Sequence, residues 1–262
     1  MQDYFLQSRG IAYRTNIFRP ERKTLLFVHG LSGSLSAWYP YEKIFENNYN
    51  LITFDLRGHG LSSRPTRSGY AMQEFVEDIR VLLEHMRVER CSIVSHSFGT
   101  LIAMEFGRAH QGVVERNIFL APAYGVHHFK ISKLLANLGA ALAMAPLRLR
   151  AYARTDYARF YPTPDYSVSR IGTDILNMGL RSYLRSLRVV FEQNYNPHWP
   201  ELACPALLVH GSQDSIVPIT HARELARVLK NSKIVELSGA NHILVLNNIK
   251  EVAAEIEKFM QQ

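Results

Sequence analysis

The apolar positions of the chain form short unbroken runs rather than an alternating pattern. These runs occupy residues 25–28, 51–54, 93–94, 118–121 and 206–209. Unbroken runs are typical of strands that are covered on both faces, and such strands build mainly parallel sheets. The pattern therefore predicts a parallel sheet at the core of the molecule.

Stretches with helical periodicity separate the predicted strands. The clearest helix spans residues 71–88, and the last one carries Val252, Ile256 and Phe259 on one face. At the other end, residues 4–18 predict an antiparallel edge hairpin. Strands that alternate with amphipathic helices predict a doubly wound, mainly parallel α/β domain.

The alternation stops between residues 122 and 200, where no convincing strand is found, and it resumes at Pro205. Residues 122–200 also hold ten Lys or Arg against four Asp or Glu, so they carry most of the chain's net charge of +7. We expect these residues to form a helical cap inserted between two core strands. The core then consists of residues 1–121 and 201–262.

The most specific local pattern is Ser-His-Ser-Phe-Gly at residues 95–99, directly after the strand predicted at 93–94. A helical pattern follows at once, so the order is strand, sharp turn and helix. Such a turn exposes the hydroxyl of Ser97 and points a helix N-terminus at it, as in the G-x-S-x-G elbow of serine nucleophiles. Ser95 stands where that elbow has its first glycine. Taken alone, the pattern fits an ordinary strand-to-helix junction with a buried serine equally well.

A serine nucleophile needs a base within hydrogen-bond reach and an acid that orients the base. Groups at the carboxyl ends of parallel strands converge on one crevice. Asp214 follows the strand at 206–209 by a short loop, and His242 follows a strand predicted at 234–237. The chain order serine, acid, histidine differs from that of chymotrypsin and of subtilisin. Three candidate groups after three separate strands are stronger support for a nucleophile than the turn alone.

The chain has eleven histidines, and His242 is the preferred base because it lies late in the chain, on a glycine-containing loop after a strand. His96 adjoins Ser97, but neighbouring side chains diverge, so we expect its ring to point away from the hydroxyl. His210 ends a strand and is expected to be a packed structural residue.

The loop at residues 29–34 follows the first core strand and contains two glycines. A tight turn here would point the backbone N–H of Leu31 at Ser97, and the N–H of Phe98 would supply a second donor, which makes an oxyanion hole. A phosphate-binding loop is the weaker alternative, because no lysine follows as a P-loop requires and no G-x-G-x-x-G is present. The His29-Gly30 loop and the cap, residues 122–200, are the expected substrate contacts.

Five stretches match one known family: residues 26–30, 55–62, 95–99, 209–218 and 240–242. On these stretches, which cover the body from about residue 10 to 260, the chain resembles the α/β-hydrolase superfamily. The resemblance is to its serine hydrolases of carboxylesterase or lipase type that carry a helical cap.

The resemblance implies Ser97 as nucleophile, Asp214 as acid and His242 as base, with no cofactor and no metal. A serine nucleophile excludes the aspartate-based route of the related haloalkane dehalogenases and epoxide hydrolases. The chain departs from the family pattern at Ser95 and at Asn241, where relatives often have glycine. Asparagine tolerates left-handed backbone, so we expect the loop before His242 to be preserved.

The composition, 47% hydrophobic and 20% charged residues, is that of a globular protein. No apolar run reaches the roughly 20 residues of a membrane-spanning helix, and the N-terminus does not resemble a signal peptide. The two cysteines suggest no disulfide framework, so a reducing, cytoplasmic location is expected. Nothing in the chain resembles a nucleic-acid-binding module.

The predicted cap contains an apolar stretch at residues 134–147 that is flanked by Lys130, Lys133, Arg148 and Arg150. The favoured interpretation is a cap helix packed over the core. Two others stay open: a lid that receives an acyl chain and contacts anionic lipid at the membrane surface, or a basic site for an anionic substrate such as a CoA thioester or a carboxylate.

These observations predict a serine hydrolase that cleaves small carboxylic esters with a hydrophobic acyl group through an acyl-enzyme. The alternatives are a carbon–carbon bond hydrolase of a vinylogous diketone acid, an acyl thioesterase, and a non-catalytic ligand-binding protein on the same scaffold.

Overall fold

Eight strands form a single sheet in a computed structural model that describes residues 1–65, 69–124, 153–192 and 202–262. The strands are β1 (Gln2–Leu6), β2 (Ile11–Thr15), β3 (Thr24–Val28), β4 (Asn50–Phe54), β5 (Cys91–His96), β6 (Val114–Leu120), β7 (Ala206–Gly211) and β8 (Ser232–Leu237). Their order is β1-β2-β4-β3-β5-β6-β7-β8, and β3 to β8 are mutually parallel. The predicted parallel core sheet is confirmed.

The helices of the described residues are α1 (Tyr39–Phe45), α2 (Met72–His85), α3 (Phe98–Ala109), α4 (Val168–Met178), α5 (Leu180–Glu192), α6 (Ile219–Val228), α7 (Leu244–Asn247) and α8 (Ile249–Met260). Short 3-10 turns lie at Leu35–Trp38 and Tyr157–Phe160. None of these helices is long and apolar enough to cross a membrane.

Two hydrophobic clusters cover the two faces of the sheet. Leu26 of β3 packs in one cluster with residues of α2, α3 and α6, whereas its neighbours Leu25 and Phe27 pack in the other with residues of α1 and α8. Successive side chains of a strand point to opposite faces, so a strand covered on both faces needs an unbroken apolar run. The doubly wound arrangement therefore follows from the pattern seen in the sequence.

The predicted edge hairpin is also present. β1 pairs with β2 in antiparallel register, with Tyr4 opposite Tyr13. Gly10, in the turn, has φ +67°, and a Cβ at this position would collide with the side chain of Ser63. Only glycine fits a turn with that backbone angle and so close a neighbour.

The described part of the insert between β6 and β7, residues 153–192, is helical and contacts loops of the sheet. Arg64 Nε donates to the carbonyl of Met178 at 2.8 Å, which satisfies the C-terminal end of α4. Tyr70 donates to Ser182 Oγ of α5 at 2.9 Å. The division into core and cap stays a prediction, and its apolar stretch at 134–147 lies outside the described residues.

Candidate active site

Ser97 lies at the turn between β5, which ends at His96, and α3, which begins at Phe98. Its backbone angles are φ 48° and ψ −115°. A non-glycine residue in such a region typically costs about 1–3 kcal/mol and is found mostly at functional sites. The turn thus lifts the hydroxyl of Ser97 off the carboxyl edge of the sheet, as the elbow pattern predicts.

Close packing under this turn explains its glycines. A Cβ on Gly99 would lie 2.6 Å from the carbonyl oxygen of Val28 and 2.7 Å from that of His29, so α3 could not begin where it does. A Cβ on Gly30 would lie 2.8 Å from Nδ1 of His96 and 3.3 Å from Cβ of Ser97. The backbone of the loop after β3 therefore packs directly against His96 and Ser97, with no room for a side chain at Gly30.

Ser95 replaces the first glycine of the elbow without a left-handed backbone. Among the described residues, the non-glycine positions with positive φ include Ser97 but neither Ser95 nor Asn241. Ser95 is fully buried in β5, and its hydroxyl donates to the carbonyl of Ile118 at 3.3 Å. A serine fits here because its one polar atom finds an acceptor on β6.

The structure brings Ser97, His242 and Asp214 into one hydrogen-bonded chain. The hydroxyl of Ser97 lies 2.9 Å from Nε2 of His242, and Nδ1 of the same ring lies 2.7 Å from Oδ2 of Asp214. A carboxylate can only accept, so Nδ1 carries the proton and Nε2 presents its lone pair to the hydroxyl. This is the geometry in which the imidazole can take a proton from Ser97.

Asp214 is held as an acceptor by four donors. The backbone N–H groups of Ile216 and Val217 donate to Oδ1 at 2.9 and 2.8 Å. His210 Nε2 lies 3.1 Å from Oδ2. Burial by itself would raise the pKa of Asp214, but the hydrogen bonds from His210 and His242 outweigh it and hold the pKa well below its usual range. Asp214 is therefore an anion throughout the neutral range.

Two other histidines belong to this site, and the sequence showed neither role. His210 is fully buried, as expected for a structural residue, but it is in contact with Asp214. The ring of His96 lies against the loop of His242, and its Nε2 donates to the backbone carbonyl of His242 at 3.0 Å. Burial, together with the nearby His242, lowers the pKa of His96 to about 3, so the ring is neutral.

Leu31 and Phe98 flank Ser97. Leu31 lies in the wall of the cavity that also contains Ser97. Phe98 begins α3, and its N–H is one of the first four of the helix, which no carbonyl of the same helix accepts.

A cavity of about 340 Å³ opens beside Ser97 and His242, and most of its wall is apolar. The His29-Gly30 loop forms one side, and α4 and α5 of the insert contribute Ile171 and Leu187 on another. Both regions expected to contact a substrate therefore border Ser97.

The described wall contains one buried ion pair, between Arg170 and Asp174 of α4. Arg170 Nη1 donates to Asp174 Oδ2 at 3.1 Å, Nε donates to Thr163 Oγ1 at 3.2 Å, and Nη2 donates to the carbonyl of Asp165 at 3.2 Å. Burial raises the pKa of Asp174 to about 6, although the hydrogen bond from Thr155 and the charge of Arg170 oppose it. The charge of the guanidinium is thus paired within the protein, and each of its three nitrogens donates one hydrogen bond.

The fold and this site together define a class of protein, and comparison with known proteins supports it. A family model described as the alpha/beta hydrolase fold matches residues 23–249, and the chain belongs to that family.

The similarity to known proteins extends over most of the chain. RutD of Yersinia enterocolitica, provisionally named a carbamate hydrolase, is 24% identical over 246 residues, which are 88% of this chain and 85% of RutD. 3-oxoadipate enol-lactonase 2 of Acinetobacter baylyi is 23% identical over 85% of this chain and 83% of its own length. The crystal structure of MGS-M2, an alpha/beta hydrolase enzyme from a Medee basin deep-sea metagenome library, superposes with a TM-score of 0.80 at 18% identity, covering 100% of this chain and 98% of that one.

Proposed function

We propose that the protein is a serine hydrolase that cleaves carboxylic esters with a hydrophobic acyl group. The observation that carries this proposal is the chain Ser97–His242–Asp214 on a strained turn in the wall of a largely apolar cavity. The family membership supports hydrolysis in general, and the hydrogen-bonded chain at Ser97 supports acyl transfer through a serine in particular.

In the proposed mechanism, Ser97 Oγ attacks the ester carbonyl while His242 Nε2 takes the hydroxyl proton. The N–H groups of Leu31 and Phe98 hold the oxyanion that forms, which is typically worth about 10²–10³-fold in rate for each donor. Asp214 stabilises the imidazolium. His242 then gives its proton to the leaving alcohol, and an acyl-enzyme on Ser97 remains.

The second half of the reaction uses the same groups. A water molecule gives a proton to His242 Nε2 and attacks the acyl carbonyl, and the oxyanion forms again between the two N–H groups. Collapse of this intermediate returns the proton to Ser97 Oγ and releases the acid. The proposed mechanism uses the same five groups in both halves.

The charges of the cavity favour a neutral acyl group over a carboxylate. In the described part of the wall, the guanidinium of Arg170 is already paired with the carboxylate of Asp174, so its charge is offset before a substrate anion binds. An anionic acyl group would also meet the carboxylates of Asp165 and Asp174. Esters of simple fatty acids therefore suit the site better than the diketone acid of a carbon–carbon bond hydrolase. The lactonase relative supports the same bond type, because a lactone is a cyclic ester.

Two measurements test the proposal. A fluorophosphonate probe should label the protein at Ser97 and should fail to label Ser97→Ala, and an unlabelled wild type would refute a serine hydrolase. Two p-nitrophenyl esters, the butanoate and the hemisuccinate, then present acyl chains of equal carbon number without and with a terminal carboxylate. We expect a higher kcat/KM for the butanoate. A preference for the hemisuccinate would favour an anionic substrate and overturn the substrate assignment.

A further inference from the structure

We propose that Asp165, from the insert between β6 and β7, is a positioning residue that holds the loops of Asp214 and His242 at a fixed distance from each other. This inference rests on the proposed function, because it assigns Asp165 a role in keeping the hydrogen-bonded chain aligned. The residue lies in the connection between the 3-10 turn at Tyr157–Phe160 and α4.

The carboxylate of Asp165 joins the two loops directly. Its Oδ1 accepts the backbone N–H of His242 at 2.8 Å. Its Oδ2 accepts the backbone N–H of Ser215 at 2.8 Å and the hydroxyl of Ser215 at 2.7 Å. Asp165 is 5% exposed, and its ionised carboxylate makes these bonds charge-assisted and stronger than bonds between neutral groups. One buried carboxylate thus binds the residue that follows Asp214 and the backbone of His242 itself.

The backbone of His242 is therefore fixed on both sides. Asp165 holds its N–H and the neutral ring of His96 holds its carbonyl. The imidazole can reach Ser97 and Asp214 together only if the Cα of His242 is placed correctly, since its ring nitrogens must meet partners at 2.9 and 2.7 Å. A displacement of about 1 Å in such an arrangement can cost roughly 100-fold in rate.

The segment that carries Asp165 is itself attached to the same loops. The carbonyl of Thr163 accepts from Asn241 Nδ2 at 2.9 Å and from Asn247 Nδ2 at 2.8 Å, and the N–H of Thr163 donates to Asn247 Oδ1 at 3.0 Å. Arg170 holds the carbonyl of Asp165 at 3.2 Å. These bonds fix the position of the Asp165 carboxylate between the two loops. They also explain Asn241, which serves here through its side chain.

A carboxylate is required because both of its oxygens face donors. Asparagine in the same pose offers one oxygen and one NH₂ group. Whichever way the amide turns, the NH₂ group faces the backbone N–H of either His242 or Ser215, and that N–H loses its acceptor; on the second side only the hydroxyl of Ser215 can still bond to the amide. Asp165→Asn therefore breaks the bridge while it conserves the size of the side chain.

The test compares Asp165→Asn with Tyr70→Phe, which removes a buried hydrogen bond between the insert and the core, to Ser182, far along the chain from the catalytic loops. For Asp165→Asn we expect kcat on p-nitrophenyl butanoate to fall about 10- to 100-fold with KM changed less than about threefold, and labelling by the fluorophosphonate to slow in parallel. Tyr70→Phe should stay within about twofold of wild type in both rates. Thermal unfolding of each variant shows how much stability it has lost.

Equal rates in wild type and a folded Asp165→Asn would overturn the proposal, as would equal losses of rate in the two variants. If Asp165→Asn does not fold, Ser215→Ala removes only the hydroxyl donor to Oδ2, and we expect a smaller fall in kcat with KM unchanged; an unchanged kcat would then count against the bridge.

A readout without turnover separates this inference from the proposed function. The proton that His242 Nδ1 donates to Asp214 gives a far-downfield NMR signal, assigned by its absence in His242→Ala. The signal should broaden or disappear in Asp165→Asn and persist in Tyr70→Phe. A wild type that shows the signal but hydrolyses no ester would refute the esterase and leave the bridge intact, whereas a signal unchanged in Asp165→Asn would refute the bridge.

Discussion

Replacing Asp214 by Asn should abolish almost all activity through a change of tautomer rather than a change of shape. The amide introduced at position 214 can adopt only one of its two orientations. Two backbone N–H groups, of Ile216 and Val217, face Oδ1 at 2.9 and 2.8 Å, so the amide oxygen must stay there. The NH₂ group then occupies the position of Oδ2 and faces His210 and His242.

An NH₂ group opposite Nδ1 of His242 reverses the hydrogen bond. Nδ1 must now accept, so the proton of the neutral ring moves to Nε2 and faces the hydroxyl of Ser97. The ring in that form cannot take the serine proton. The equivalent change in a well-studied serine protease lowers kcat about 10⁴-fold, which corresponds to about 5.4 kcal/mol in activation free energy. We expect a loss of the same order here.

The assay is the initial rate of p-nitrophenyl butanoate hydrolysis, with fluorophosphonate labelling as a second measure of Ser97 reactivity. Ser97→Ala sets the background rate, and circular dichroism establishes that Asp214→Asn is folded. An activity within tenfold of wild type in a folded Asp214→Asn would show that Asp214 does not set the tautomer of His242, and the reasoning from the four donors would be wrong.

Three further predictions follow from the same structure. Gly99→Ala puts a Cβ 2.6 Å from the carbonyl oxygen of Val28 and should lower the free energy of unfolding by about 3 kcal/mol or prevent folding. The matched control is Gly172→Ala in α4, where a Cβ would have nothing within 4 Å, and it should raise the free energy of unfolding by about 0.5–1 kcal/mol. Urea unfolding measures both variants, and equal stabilities would contradict the packing argument. The pKa of Asp214 is depressed in the folded state, so the ionised carboxylate stabilises the fold above about pH 4, the ordinary pKa of an aspartate, and this stabilisation is lost as the pH falls further. The difference in unfolding free energy between wild type and Asp214→Asn should therefore be larger at pH 7 than at pH 3. A difference that does not change with pH would refute this prediction. His96→Ala removes the donor to the carbonyl of His242 and should reduce kcat more than it changes KM, which steady-state kinetics would check; an unchanged kcat would show that this bond does not position His242.

The sequence predicted the sheet and the position of the site because both depend on local patterns. Unbroken apolar runs predict strands covered on both faces, and the residues that follow those strands, such as Asp214 and His242, are brought together by the parallel topology itself. The hairpin at the N-terminus was equally local, since its turn at Gly10 needs a positive φ.

The supporting contacts could not be predicted, because they join residues far apart in the chain. Asp165 and His242 are separated by 77 positions, and nothing near Asp165 in the sequence distinguishes it from other aspartates. The role of Asn241 was hidden for the same reason: its backbone is not left-handed, and its side chain bonds to Thr163, a partner that only the fold supplies. The bond from His96 to the carbonyl of His242 could not be predicted either, because the loop of His242 comes within reach of this ring only in the folded chain.

Hydrogen bonds join the insert to the loops after β7 and β8, through Thr163, Asp165 and Tyr166. These bonds limit how the insert of this chain can be exchanged for that of a relative. Exchanging the insert of this chain for that of another family member would replace the walls of the cavity, a natural way to change its substrate range. The same exchange would remove residues 163–166 and with them the hydrogen bonds that this segment makes to the loop of His242. A chimera should therefore keep residues 163–174, because Arg170 and Asp174 hold the segment of Thr163 and Asp165, and exchange only the walls that follow.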